Sequence, residues 1–244
     1  MTATAAVQPG KIDIVRIIGD TFQVLGRNTQ NFFILSALLA GLPGLIVLAT
    51  TPDLGPGAAG FGAGMPLAWL LSVVAGAVLQ GALIYAVIQD LNGQRPPITD
   101  LVSFGLRNIL PLVGVSFLLG IAVMLGLILL VVPGVMMACA WCTATPALIA
   151  ERTGVIGAFR RSAELTRGNR WRILGLFAIW VVAVLLTSGV MGAFAFLGPA
   201  VAVIFNAVLS TVAGAVGATA ITVLYVELRR LREGDSAWLA QVFT

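Results

Sequence analysis

Chemistry in this chain has few carriers. Cys139-Ala140-Trp141-Cys142 is its one redox-shaped pattern. A membrane dithiol enzyme facing an oxidising compartment uses such a pair. An electron relay also needs a second pair or a quinone-side partner, and the chain has only 2 cysteines. No basic residue neighbours them along the chain to lower a thiol pKa, so they read better as small packing residues. Histidine is absent, and no carboxylate cluster has the spacing of a metal site. The expectation is a protein that is not an enzyme, with no catalytic residue, cofactor or metal. The polar candidates are Gln80 and Asn206, followed by Ser72, Ser116, Thr187, Ser188, Ser210 and Thr211. They suit interhelical hydrogen bonds or a solute site. Five arginines, Arg160, Arg161, Arg167, Arg170 and Arg172, crowd one short segment beside Glu151 and Glu164. They are candidates for anionic lipid headgroups.

The elements that hold these residues follow from where charge is missing. Of 244 residues, 59% are apolar and 10% charged, against about 25% charged in an ordinary soluble domain. That excludes a soluble enzyme or a nucleic-acid binder. Stretches 28–52, 54–89, 108–150 and 173–226 contain no Asp, Glu, Lys or Arg. About 20 apolar residues cross a hydrocarbon core. The first stretch holds one crossing, Phe32 to Thr50, and the second holds one, Leu67 to Gln89, after a glycine-rich run. The third and fourth are double length, with turn signals at Pro133-Gly134 and Gly198-Pro199. Six spans result. All 14 basic residues fall on one side of them and only Asp53 on the other, which puts both termini in the cytoplasm. A five-span alternative makes 133–150 re-entrant. The N-terminus does not read as a cleaved signal, since Met1–Gly10 carries no positive charge.

The segments between spans are amphipathic at helical spacing. Over 12–27, Ile14, Val15, Ile17, Ile18 and Phe22 oppose Asp13, Arg16, Asp20 and Arg27; 98–107 and 155–167 repeat the pattern. Such helices lie at the interface with the apolar side toward lipid or bundle. Each ends on an arginine and an asparagine before a span: Arg27-Asn28, Arg107-Asn108 and Arg167-Gly168-Asn169. The fold class expected is all-α: one polytopic membrane domain, residues 1–244, of six spans in three hairpins. An interfacial helix precedes each hairpin, the repeats run at about 12–90, 98–150 and 155–226, and a short cytoplasmic tail covers 227–244. Gly41-Leu42-Pro43-Gly44 breaks the first span, Pro146 bends the fourth, and Ser210, Gly214 and Ala218 form a small-residue stripe on the sixth.

The stretch Pro133 to Leu174 carries a resemblance. Its parts are Pro133-Gly134, Trp141, Pro146-Ala147-Leu148-Ile149-Ala150-Glu151, Ala158-Phe159-Arg160-Arg161-Ser162 and Leu165-Thr166-Arg167-Gly168-Asn169-Arg170-Trp171-Arg172. It resembles the membrane domain attached to glycerophosphoryl diester phosphodiesterases and the stand-alone, uncharacterised bacterial inner-membrane proteins that share it. The resemblance implies fold and location, the bacterial inner membrane. It does not imply phosphodiesterase activity, because the catalytic barrel and every histidine are absent from this sequence.

The expected function is therefore non-enzymatic: a membrane protein organising or packing the bilayer or a membrane complex. Its expected partners are membrane lipids, anionic ones foremost, and further copies of itself in a homo-oligomer or a membrane-complex partner. The alternative is a permease or exporter of an amphipathic or lipid-like solute without ion coupling, which a polar cavity containing Gln80 or Asn206 would favour.

Overall fold

A backbone surrounded by hydrocarbon has to satisfy its own hydrogen bonds, and a helix does so within one segment. The computed structural model of the chain describes residues 11–27, 29, 32, 34, 35, 65–94, 96–194 and 199–233. Among these, every regular element is an α-helix and no strand occurs. Helix α1 covers 14–27. It is followed by α2 (Met65–Leu91), α3 (Ile98–Arg107), α4 (Ile109–Leu129), α5 (Val131–Trp141), α6 (Ala144–Glu151), α7 (Gly154–Thr166), α8 (Arg170–Phe194) and α9 (Pro199–Glu233). Five stretches are long and apolar enough to cross a membrane: Val73–Leu91, Ile109–Leu129, Val132–Glu151, Arg170–Gly189 and Thr211–Glu233. The expected first span, with its Gly41–Gly44 break, lies almost wholly outside the described residues.

Two proline signals resolve differently from a simple turn. The chain reverses between α4 and α5 at Leu130, a single extended residue (φ −165°, ψ 136°), and not at Pro133-Gly134. Pro133 is the third residue of α5, where a helix has no internal acceptor for its N–H, so proline costs little. Gly134 instead lets α5 touch α4. A Cβ added there would lie 2.6 Å from the Leu127 nitrogen, and one on Gly126 would lie 2.7 Å from the Gly134 Cα. Pro146 acts as expected. It has no N–H for the carbonyl four residues back, that of Cys142, and the helix is interrupted at Cys142–Thr143 before resuming as α6.

The amphipathic segments bury part of their apolar sides in the bundle, while Val15, Phe22, Leu106 and Ile156 stay exposed. Helix α3 packs along α2, with the Tyr85 and Phe104 rings stacked at 4.1 Å. Gly105 sits so close that a Cβ there would be 2.7 Å from the Val78 carbonyl oxygen. Helix α1 and the residues just before it lie on α8 and α9, burying Ile12, Ile17 and Val24 in the same core as Ile173, Leu224 and Leu228. Helix α7 returns along α6 and the end of α5, contributing Ala158 to a second core with Ala144, Leu148 and Leu112. Burial is uneven among the spans. Of the best membrane-length window, 61% is buried in Val132–Glu151, but only 11% in Ile109–Leu129 and 6% in Arg170–Gly189. Helices α4 and α8 thus bury few of their side chains completely, among them Leu112 and Val115 of α4 and Ile173 of α8.

Candidate functional site: a polar cleft beside α2

Ser116, Leu119, Gly120, Val123 and Leu127 recur on α4 at spacings of one, three and four, which places them on a single helix face. That face forms one wall of a cavity of about 660 Å³. The other walls bring Gln80 from α2 and Thr145 from α6. Thr145 is 5% exposed and stands one residue before Pro146, just after the interruption of the α5–α6 span. Among the described residues, no hydrogen bond engages the Gln80 amide or the Ser116 and Thr145 hydroxyls. Among the described residues the cleft is therefore mostly apolar, with Gln80, Ser116 and Thr145 as its uncharged polar groups.

Gln80 also borders a second cavity, of about 350 Å³, between α2, α8 and α9. There it faces Trp180 and the small residues Gly76, Gly214 and Ala218. Of the expected small-residue stripe, Gly214 and Ala218 line this space, while the Ser210 side chain lies outside what is described. The same holds for the side chains of Asn206, on α9, and Ser72, on α2. Ser188 and Thr187 bond back to carbonyls one turn earlier on α8, at 2.8 Å for Ser188 to Val184, so neither points a free hydroxyl at a cavity.

The cysteines sit well inside the α5–α6 span. Cys139 lies nine residues beyond the Leu130 turn, about 13 Å along the helix, next to the α5–α6 interruption. Cys139 is wholly buried and Cys142 nearly so, both are free thiols, and the Cys142 thiol donates to the Cys139 carbonyl at 3.3 Å. Arg170, the first residue of α8, has its Nε buried without a hydrogen-bond partner among the described residues. Among the described residues no group of three or more His, Cys, Asp or Glu stands where it could hold a metal.

The five arginines proposed for headgroups are divided by the fold. Arg161 turns inward, 2.8 Å from Glu151 and also bound to Glu233. Glu151 accepts from the Tyr225 hydroxyl at 2.8 Å, and Arg229 reaches Glu233 at 2.7 Å. This five-residue network ties α6, α7 and α9, and sequence reading missed it because the bonds that join α9 to the other two helices span 72 and 74 positions. Arg172 donates to the Ile12 carbonyl. Arg160 and Arg167 remain exposed, Arg160 only loosely paired with Glu164 at 3.3 Å.

The repeat signature also acquires separate roles. Arg27 pairs with the nearly buried Asp90 at 2.9 Å. Arg107 is exposed. Asn108 joins α3 to α4, its amide donating to the Phe104 carbonyl at 2.9 Å. Asn169 is buried and accepts from the Ile12 N–H at 3.3 Å, so Asn169 and Arg172 hold both sides of the peptide chain at Ile12. Asn28 is outside the described residues.

No family model matches the chain, and no solved structure matches it. It is similar to a UPF0259 membrane protein of Yersinia pestis (strain Pestoides F), 27% identical over 158 residues covering 65% of this chain. It is equally similar, at 27% over 158 residues, to a UPF0259 membrane protein of Yersinia pseudotuberculosis (serotype O:3, strain YPIII). In these alignments the chain spans 62% of the length of the curated relatives it matches. Their names mention no phosphodiesterase, so the likeness is narrower than the sequence motif implied. Together with the apolar helices, it makes this a helical bacterial membrane protein similar to the UPF0259 group.

Proposed function

We propose that this chain is a non-catalytic membrane protein that takes a lipid-like amphiphile into the cleft beside α2 and handles it without ion coupling. One observation carries the reading. Gln80, Ser116 and Thr145 bring hydrogen-bonding groups to a cavity of about 660 Å³ otherwise lined by apolar side chains of α4. A largely apolar lining with a few polar groups suits an amphiphile entering sideways from the bilayer. The five spans described, with Phe32–Thr50 as a sixth, carry the arginines at one end, which supports both termini lying in the cytoplasm of a bacterium with the protein in its inner membrane. Exposed Arg160 and Arg167 are then placed to meet anionic headgroups.

Retention of ligand is the test. Native mass spectrometry of the detergent-extracted protein is expected to find an amphiphile bound to the wild type. Gly120→Trp is expected to lose it, because Gly120 lines the cleft and a side chain there meets nothing within 4 Å. Equal retention by both proteins, or none by either, would refute the reading.

A second reading has its own observation. With so little of α4 and α8 buried, these helices offer long faces to other copies of the chain, as expected of a protein that packs the bilayer or a membrane complex as an oligomer. Cross-linking in native membranes separates the two readings: a ladder of defined oligomers through α8 favours assembly, and a monomer with bound amphiphile favours the cleft.

A further inference from the structure

We infer that the amphiphile held beside α2 carries an uncharged headgroup of hydroxyl, ester or amide type, such as a diacylglycerol presents, and not a phosphate. This rests on the cleft being a binding site, and adds the class of ligand.

The chemistry of the lining sets the class. Among the described residues every side chain lining the two cavities is neutral: the polar groups are Gln80, Ser116 and Thr145 in the first, and Gln80 and Thr211 in the second. A primary amide offers two donors and a carbonyl acceptor, and each hydroxyl rotates to donate or accept. That set matches a headgroup which itself both donates and accepts. An anion would arrive in a low-dielectric site with no cation to meet it, which is strongly unfavourable. The arginines with described partners are engaged elsewhere: Arg27 with Asp90, Arg161 with Glu151, and Arg172 with the Ile12 carbonyl.

Gln80 has a second property. It borders the space toward α4 and the space toward α8 and α9, so one amide serves both. A headgroup seated on Gln80 leaves each of two acyl chains a separate apolar space, which a two-chain neutral lipid fills and a single-chain solute does not. The small residues Gly76 and Gly214 keep the second space open, since a Cβ at either would touch nothing within 4 Å.

The experiment uses the full chain in phosphatidylcholine nanodiscs, with two photoreactive probes bearing identical diazirine-labelled acyl chains: a diacylglycerol and a phosphatidylglycerol. Labelling of peptides from α4 and α9 is read by mass spectrometry. The diacylglycerol probe is expected to label them about tenfold more than the phosphatidylglycerol probe. Gln80→Leu is expected to abolish that preference, and Gln80→Asn to keep part of it. Ser116→Ala provides an independent loss should Gln80→Leu fail to fold. Equal or stronger labelling by phosphatidylglycerol overturns the headgroup class and leaves the cleft as a lipid site. Labelling of neither peptide by either probe removes the site itself and this inference with it.

Discussion

The hydroxyl of Ser162 donates to the carbonyl oxygen of Ala140 across 2.9 Å. The Thr166 hydroxyl lies between that oxygen, at 3.2 Å, and the Ser162 carbonyl oxygen, at 2.9 Å, and the Thr143 and Ser162 hydroxyls are 2.9 Å apart. All three hydroxyl-bearing residues are fully buried. Interrupting a helix inside the bundle frees carbonyls that hydrocarbon cannot solvate, and α7 supplies the replacements from its inner face. The double variant Ser162→Ala with Thr166→Ala removes both donors. It is expected to destabilise the protein by about 1–3 kcal/mol, the usual cost of a buried unsatisfied acceptor, read as a lower thermal unfolding midpoint in detergent. Either single variant should cost less, because the other hydroxyl remains.

Gly134 and Gly126 make a backbone contact that admits no side chain. Gly134→Ala places a methyl against the Leu127 nitrogen, and nothing flexible can move aside. Overpacking of this kind costs about 1–3 kcal/mol. Gly120→Ala, one turn and a half back on α4 and facing open space, is the control and is expected to hold or gain stability through its better helix propensity. A similar loss in both variants, measured by thermal unfolding, would remove the argument for close approach.

How far this arrangement was legible beforehand depends on the range of the interaction. The charge-free stretches required helices, and Pro146 required a break, because both effects act within one turn of the chain. The α4–α5 reversal was displaced by three residues because Pro133 suits the first turn of a helix as well as it suits a loop. Gln80 stood out as an amide in an apolar span, whereas Thr145 did not; the hydroxyls at Thr143 and Thr145 beside Pro146 were the available signal. The sorting of arginines was illegible. Arg160 and Arg161 are adjacent, yet one helical step of about 100° separates a solvated side chain from one inside an ion network.

That separation is testable. Arg161 binds Glu151 and Glu233 with about a fifth of its side chain exposed, while the Arg160 side chain is 84% exposed. Removing Arg161 leaves the part-buried Glu151 without its cation, beside Tyr225, while Glu233 keeps Arg229. Arg161→Ala is expected to lower stability by about 1–3 kcal/mol, the cost of a part-buried carboxylate losing its charged partner. Arg160→Ala is expected to leave the unfolding midpoint unchanged, as exposed pairs usually do. Indistinguishable midpoints for the two variants would show that the network is not formed in the membrane.

The side of the membrane that this network faces can be read with one cysteine. Insertion retains arginine on the cytoplasmic side, and the arginine-rich segment around α7 joins two spans. Arg160 is the position of choice because its side chain is mostly exposed and makes only the loose pair with Glu164. The native Cys139 and Cys142 are buried, so they give little background to a bulky maleimide. Arg160→Cys in intact cells of a Gram-negative host is expected to resist an impermeant maleimide supplied from outside. It should react once the membrane is inverted or permeabilised, with mass-shifted protein as the readout. Labelling in intact spheroplasts would place α7 outside, reverse every span, and move both termini out of the cytoplasm.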